Sequence, residues 1–259
     1  MRLSSKRKFN QVGIDRILRL KWLSRTAQLV LAGNDLVTIK AILQDELLDS
    51  FQSFQKGVRG SLDKTLTILL KIWVRPSDDL KTLHKKGLDF ISRLPEKDHL
   101  AVHWGMLMAT YPFWGRVADQ VGRLLRLQGQ FKIAQVQRRL LEQYGERQTV
   151  SRAAQRVLRS FVDWGVLRDG LERGTYVSGM EHSVGNPALL AWLAEAFLNA
   201  SPNGSIPFQS ILNSTTFFPF RFTEVSAIQL AAENENLVLL RHGLDEDLVM
   251  LREIASNEW

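Results

Sequence analysis

A chain of 259 residues can hold one large domain or two to three small ones, and 45% hydrophobic with 24% charged residues is an ordinary balance for a folded protein. It has no cysteine, which excludes disulfides and thiolate metal sites, and no apolar run approaches the roughly 20 residues of a membrane span. Net charge is +7, but eight Lys/Arg against one acid fall in residues 1–25 and twelve against six in residues 116–173, while the remainder holds fourteen against twenty. Two basic segments on a mildly acidic body fit a protein that meets a polyanion through those segments. The opening MRLSSKRKFNQ lacks the apolar core of a signal peptide, so a cytoplasmic location is expected.

Residues 1–25 read as a basic N-terminal arm: Arg2, Lys6, Arg7 and Lys8, then Arg16, Arg19, Lys21 and Arg25. The first ten can order along phosphates or in a minor groove, or can simply solubilise the chain. From Asp15 an amphipathic helix is expected, with Ile14, Ile17, Leu18 and Leu20 apolar.

Residues 26–112 read as a helical domain. Gly33-Asn34 stops a first helix, and Leu36 to Phe54 carries Ile39, Ile42, Leu43, Leu47 and Phe51 on one face. Ser61 is placed to cap a helix through Trp73, which Arg75-Pro76 ends. Ser77-Asp78-Asp79 starts another that reaches Leu94-Pro95, and Glu96 to Tyr111 forms the next. In the latter, His99 and His103 share a face at a spacing that can hold a metal, but no third ligand suggests itself. Their neighbours Trp104, Met106, Leu107 and Met108 point to a buried helix instead.

Residues 113–180 carry the pattern around which the chain is organised. Tyr111-Pro112-Phe113-Trp114 reads as an aromatic hinge, Val117 to Leu127 as a helix with Arg116, Arg123 and Arg126 outside, and Gly129 as its stop. Then Ile133, Val136, Leu140 and Leu141 recur at helical spacing up to Gly145. Thr149 stands where an N-cap is wanted, before Val150, Ala153, Ala154, Val157, Leu158, Phe161 and Val162. The face opposite that stripe carries Ser151, Arg152, Gln155, Arg156 and Arg159, three and four apart, with no acid before Asp163. Asp169-Gly170 and Arg173-Gly174 bracket a hairpin whose returning strand is Thr175-Tyr176-Val177. Helix, tight turn, helix and hairpin is the layout of a winged helix-turn-helix. Arginine and glutamine fork onto guanine and adenine edges, and serine and threonine suit phosphates. The bland alternative is a solvated face on a helical hairpin.

Residues 181–259 read as an acidic C-terminal domain. Asn186-Pro187 starts a helix, Ser201-Pro202-Asn203-Gly204 is a loop, a further helix runs from Thr223 or Glu224 to Ala232, and LVLLRHGLDEDLVML reads as strand, turn, strand. That order suggests a second winged helix, with Glu224, Ser226, Gln229 and Glu233 in place of arginines, suited to protein contacts. Phe217, Phe218 and Phe220 are core or a docking patch, with core favoured. No Gly-rich phosphate loop or GxSxG elbow is present, and Asp245-Glu246-Asp247 falls in a hairpin turn, so neither catalysis nor a cofactor or metal has support in the sequence.

The stretch RLPEKDHLAVHWGMLMATYPFWGRVADQV, followed by a basic helix-turn-helix ending VLRSFVDWGVL, resembles the BrxA-type small accessory proteins of BREX bacteriophage-defence systems. The resemblance spans residues 10–170 and rests on layout and on Arg93-Leu94-Pro95 and Tyr111-Pro112-Phe113; the extension after residue 180 departs from it. It implies a helical, non-catalytic protein associated with DNA and with other proteins of a defence complex. The expected fold is mainly α: a helical N-terminal domain, a winged helix-turn-helix and a smaller α+β C-terminal domain. The expected partner is double-stranded DNA, held by Arg138, Arg147, Thr149, Ser151, Arg152, Gln155, Arg156 and Arg159, by the wing residues Arg168 and Arg173, and by Lys6, Arg7 and Lys8 of the arm. Two further readings are an adaptor that docks a larger enzyme through its C-terminal domain, and a transcriptional repressor.

Overall fold

In a computed structural model of the chain, residue 9 and residues 11–52, 58–242 and 246–252 are described. The helix Glu96–Thr110 is the centre of the molecule. From Leu100 onward every residue of it is buried, because LAVHWGMLMAT offers an apolar or small side chain in every direction. A helix apolar all round cannot rest on one neighbour; it has to be enclosed.

The enclosing helices come from both ends of the chain. In order the helices are α1 (Leu20–Leu31), α2 (Leu36–Gln52), α3 (Val58–Trp73), α4 (Lys81–Arg93), the central α5, α6 (Pro112–Gln128), α7 (Ile133–Tyr144), α8 (Gln148–Asp163), α9 (Pro187–Asn199), α10 (Phe208–Leu212) and α11 (Ala227–Ala232). Helices α1, α3, α4, α6 and α9 all pack on α5, α9 most extensively. Two glycines make the α9 contact close. A Cβ on Gly105 would stand 2.4 Å from the Trp192 ring and one on Gly87 3.0 Å from it. The Trp192 indole N–H then donates to the Leu83 carbonyl at 2.9 Å, which satisfies the polar atom of that buried ring.

The protein is thus mainly helical, with small sheets in its second half. Strands β1 (Gln130–Lys132), β2 (Leu167–Asp169) and β3 (Thr175–Ser178) form an antiparallel sheet ordered β1-β3-β2. β4 (His182–Val184) pairs in parallel with β6 (Phe220–Phe222). β5 (Ser205–Pro207), β7 (Leu237–His242) and β8 (Glu246–Leu251) form an antiparallel sheet ordered β5-β8-β7.

The same connectivity occurs twice. Helix α6, strand β1, helices α7 and α8, and hairpin β2–β3 are matched by α9, β5, α10, α11 and hairpin β7–β8. In both, the early short strand pairs with the second strand of the hairpin. The second set carries an insertion, residues 213–226, between its two middle helices. A 3-10 turn of that insertion, Thr215–Phe217, lies so close on α6 that a Cβ on Gly122 would meet the Thr215 carbonyl oxygen at 2.1 Å. The Thr215 hydroxyl also bonds the Asp119 carboxylate.

Several local expectations shift. Helix α6 begins at Pro112, so Tyr111-Pro112-Phe113-Trp114 is its first turn and not a hinge; proline at the first helical position has no N–H to lose. α3 begins at Val58, which puts Ser61 inside the helix, where its carbonyl accepts from the Thr65 hydroxyl. Residues 11–19 are not helical, since α1 starts at Leu20. They strap across the end of α8 instead. Ile14 and Leu18 are buried, the Leu18 N–H donates to the Ser160 hydroxyl at 2.9 Å, and the Leu18 carbonyl accepts from the Trp164 indole at 2.9 Å. The helix expected from residue 223 or 224 starts at Ala227, capped by Ser226 with Gln229 reaching back.

Candidate nucleic-acid interface

Helix α8 presents its polar face because its other face is wholly committed. Val150, Ala153, Ala154, Val157, Leu158 and Phe161 have no exposed surface. The Phe161 ring stacks on Trp104 and meets Trp114 and Phe218 edge-on, which fixes the helix about its own axis. A short turn joins it to α7, with Gly145 at φ 86° and the Arg147 N–H bonded back to the Gly145 carbonyl at 2.8 Å. The side-chain amide of Gln137 on α7 donates to the Ser151 carbonyl at 3.1 Å and ties the two helices together.

On the outward face Arg152, Gln155 and Arg156 are exposed, and among the described residues none of them has an ion-pair or side-chain hydrogen-bond partner. Thr149 is exposed beside them, though not as the cap. The helix starts two residues earlier than that cap requires, at Gln148, with Arg147 in the capping position and no side-chain bond there. Ser151 is half-buried. Arg147 is exposed and spends one N–H on the Tyr144 carbonyl at 2.8 Å. Arg138 lies 4.0 Å from Glu142, a loose surface pair.

Arg159 departs from its expected freedom. Its guanidinium reaches both Asp169 carboxylate oxygens, at 2.9 and 3.1 Å. Burial works against its charge, but the bonds to Asp169 and Tyr176 outweigh that and raise its pKa. Asp169 ends β2, so this pair fastens the hairpin to the helix. The hairpin is braced elsewhere too: the Gly170 N–H donates to the Thr175 carbonyl, the Ile133 N–H to the Gly174 carbonyl, and Lys132 pairs with Glu172 at 2.9 Å. Arg168 is exposed and donates to the Ser178 carbonyl at 3.2 Å, while Arg173 projects into solvent. At the hairpin tip Leu171 is 108% exposed.

The arginines of α6 do not join this face as free cations. Arg123 pairs with Asp119 at 3.1 Å, the Arg126 guanidinium donates to the Asn213 carbonyl at 3.1 Å, and Arg116 is half-buried near Tyr144. Lys6, Arg7 and Lys8 lie outside the described residues.

The remaining sequence candidates have structural roles. His103 has no exposed surface; its Nε2 is 3.1 Å from the Ser24 hydroxyl and its ring meets Trp73 edge-on. Burial, with His99 nearby, pushes its pKa down to about 3. His99 Nε2 lies 2.9 Å from the Leu94 carbonyl. Among the described residues no group of three His, Cys, Asp or Glu could hold a metal, and no helix is long and apolar enough to cross a membrane. Phe217 and Phe220 are buried and Phe218 half-buried, in rings that join Trp104 and Phe161, so this group is core.

The locks, Arg159 with Asp169 and Lys132 with Glu172, went unseen in the sequence. Each joins residues that meet only once the hairpin folds back, and no local spacing announces that. The buried Glu195 was missed as well; it accepts from the Asn234 and Asn236 amides at 2.7 and 3.0 Å. Its signal was a lone acid within an otherwise apolar helix. No protein-family model, curated protein or solved structure matches the chain.

Proposed function

We propose that residues 112–178 form a winged helix-turn-helix, and that the chain grips double-stranded DNA through it without catalysing a reaction. One observation carries this reading. Arg152, Gln155 and Arg156 project together, free of partners, from a helix whose opposite face is entirely buried. Neither guanidinium is spent on a contact within the fold, so both are open to a polyanion. In the major groove these side chains reach base edges or phosphates. The β2–β3 hairpin is the wing, and Arg168 and Arg173 follow the backbone beside the groove. The second set, α9 to β8, would be a second winged helix by its matching connectivity.

As the biological setting we propose an accessory role in a BREX-type bacteriophage-defence system, alongside other proteins of such a complex. That rests on the resemblance over residues 10–170 alone. Phage plating efficiency that does not change on deletion of the gene from such a system would refute it.

The DNA reading is tested by fluorescence anisotropy with a random duplex, comparing the wild type with Arg152→Glu/Arg156→Glu. Binding that weakens steeply with salt and collapses in the folded double variant is the expected result. Binding indifferent to the double change overturns the groove assignment, and an adaptor that docks protein would then lead.

A further inference from the structure

Among the described residues Leu171 is the most exposed large apolar side chain, at 108%, and it stands at the tip of the β2–β3 hairpin. The loop that carries it is held on both sides. The Gly170 N–H donates to the Thr175 carbonyl at 2.8 Å, the Thr175 N–H to the Glu172 carbonyl at 3.0 Å, and the Ile133 N–H to the Gly174 carbonyl at 2.9 Å. Both acids of the hairpin are matched by cations outside it, Asp169 by Arg159 and Glu172 by Lys132. Arg168 and Arg173 stay exposed, one before the tip and one after it. The leucine thus projects from a braced loop, between two guanidiniums, and buries no surface within this fold.

We propose that Leu171 is a wedge that enters the minor groove of duplex DNA, beside the major groove that α8 occupies, and kinks the duplex by opening a base step. The proposal rests on the reading of α8 as the DNA-contacting helix. The Arg159–Asp169 pair sets the distance between the two elements. Arg159 follows Arg156 by one turn of α8, and Asp169 is two residues from Leu171, so the tip is tethered beside the exposed face of the helix. One sugar-phosphate backbone separates the major groove from the minor groove, which at about 6 Å wide excludes a helix but admits an aliphatic side chain. Arg168 and Arg173 match that backbone, with the leucine reaching past them. Between two bases its side chain leaves water against their flat faces. Apolar wedges of this kind unstack the step and bend the duplex toward the major groove by about 20–90°. Here that bend would close the duplex around α8.

The test uses the full chain and a short duplex with a fluorophore at each end and 2-aminopurine at a central TA step, which opens easily. Wild type is expected to shorten the end-to-end distance and to raise the 2-aminopurine emission as that base unstacks. Leu171→Ala is expected to bind with an unchanged salt slope, since no phosphate contact is lost, but to leave the duplex straight and the 2-aminopurine quenched. Leu171→Phe keeps an apolar wedge and should restore both signals. Because the side chain is fully exposed, both variants should melt like the wild type. A wild type that binds and leaves the duplex straight overturns the wedge while α8 keeps its role, and so does a Leu171→Ala protein that bends the duplex as well. A wild type that binds no duplex, or binds equally after Arg152→Glu/Arg156→Glu, overturns the reading of α8 and the wedge with it.

Discussion

Replacing Asp169 by asparagine should tighten DNA binding although it removes an ion pair. In the structure the Asp169 carboxylate occupies Arg159 at 2.9 and 3.1 Å, with the two side chains 59% and 43% exposed. A pair that open to solvent is worth about 0–1 kcal/mol, so the variant should keep its fold. Among the described residues, six guanidiniums of the proposed interface have no carboxylate closer than 4.0 Å: Arg138, Arg147, Arg152, Arg156, Arg168 and Arg173. If each neutralises one phosphate, log K falls with log salt at a slope of about −5. Freeing Arg159 adds a seventh contact, which steepens the slope to about −6 and tightens binding about eightfold at ~0.1 M salt. Anisotropy titrations at four salt concentrations measure both quantities. An Asp169→Asn protein that melts like the wild type, yet binds DNA no tighter and with an unchanged slope, would remove Arg159 from the interface and leave it as a brace for the hairpin.

Four further outcomes follow from particular contacts. If Lys6, Arg7 and Lys8 each meet a phosphate as well, the wild-type slope is steeper by about 2–3 than those six guanidiniums give, and deleting residues 1–9 should remove that increment; an unchanged slope would make the arm a solubilising tail. Gly122→Ala puts a Cβ 2.1 Å from the Thr215 carbonyl oxygen, a backbone atom that cannot swing away, so thermal unfolding should show a loss of about 2–3 kcal/mol. Ser160→Ala leaves the buried Leu18 N–H without its acceptor, for a loss of about 1–3 kcal/mol in a urea melt. His103 is buried neutral with its pKa pushed down to about 3, so between pH ~6.5 and ~3 the unfolded chain binds a proton that the folded chain does not. Its contribution to stability is therefore intact above pH ~6.5 and lost as pH falls, by at most ~1.4 kcal/mol per pH unit; urea melts at pH 7 and pH 5 should differ less in His103→Asn.

The sequence revealed what is decided within a few residues. The stripe on α8 repeats every three to four positions, and six of its seven members, Val150 to Phe161, are buried while Val162 is half-buried. Gly129 and Gly145 end their helices at φ 72° and 86°, and Asn186 caps α9 through the Leu189 N–H with Pro187 at the first position. The errors came where a local signal had two meanings. Proline after Tyr111 can break a helix or begin one, and only the burial of Phe113 against Tyr144 and of Trp114 against Trp104 and Phe161 makes it a beginning. Ile14, Leu18 and Leu20 gave an approximate helical period, but the backbone of Leu18 and Leu20 finds its partners at the end of α8, some 140 residues away. In the candidate site, residue types and face could be read from spacing. Which cations are free could not, because Asp169 and Glu172 reach their partners only through the folded hairpin.

The enclosure of α5 also sets when the chain can fold. During synthesis residues 96–110 leave the ribosome long before α9, their most extensive neighbour, which ends at Asn199. Until then the side of α5 that Trp192 will occupy through Gly105 has no cover. A fragment ending near residue 180 would contain every residue of the proposed DNA-contacting face and still expose this side, which favours aggregation over folding. The acidic C-terminal third is therefore required to complete the core on which the basic face is mounted.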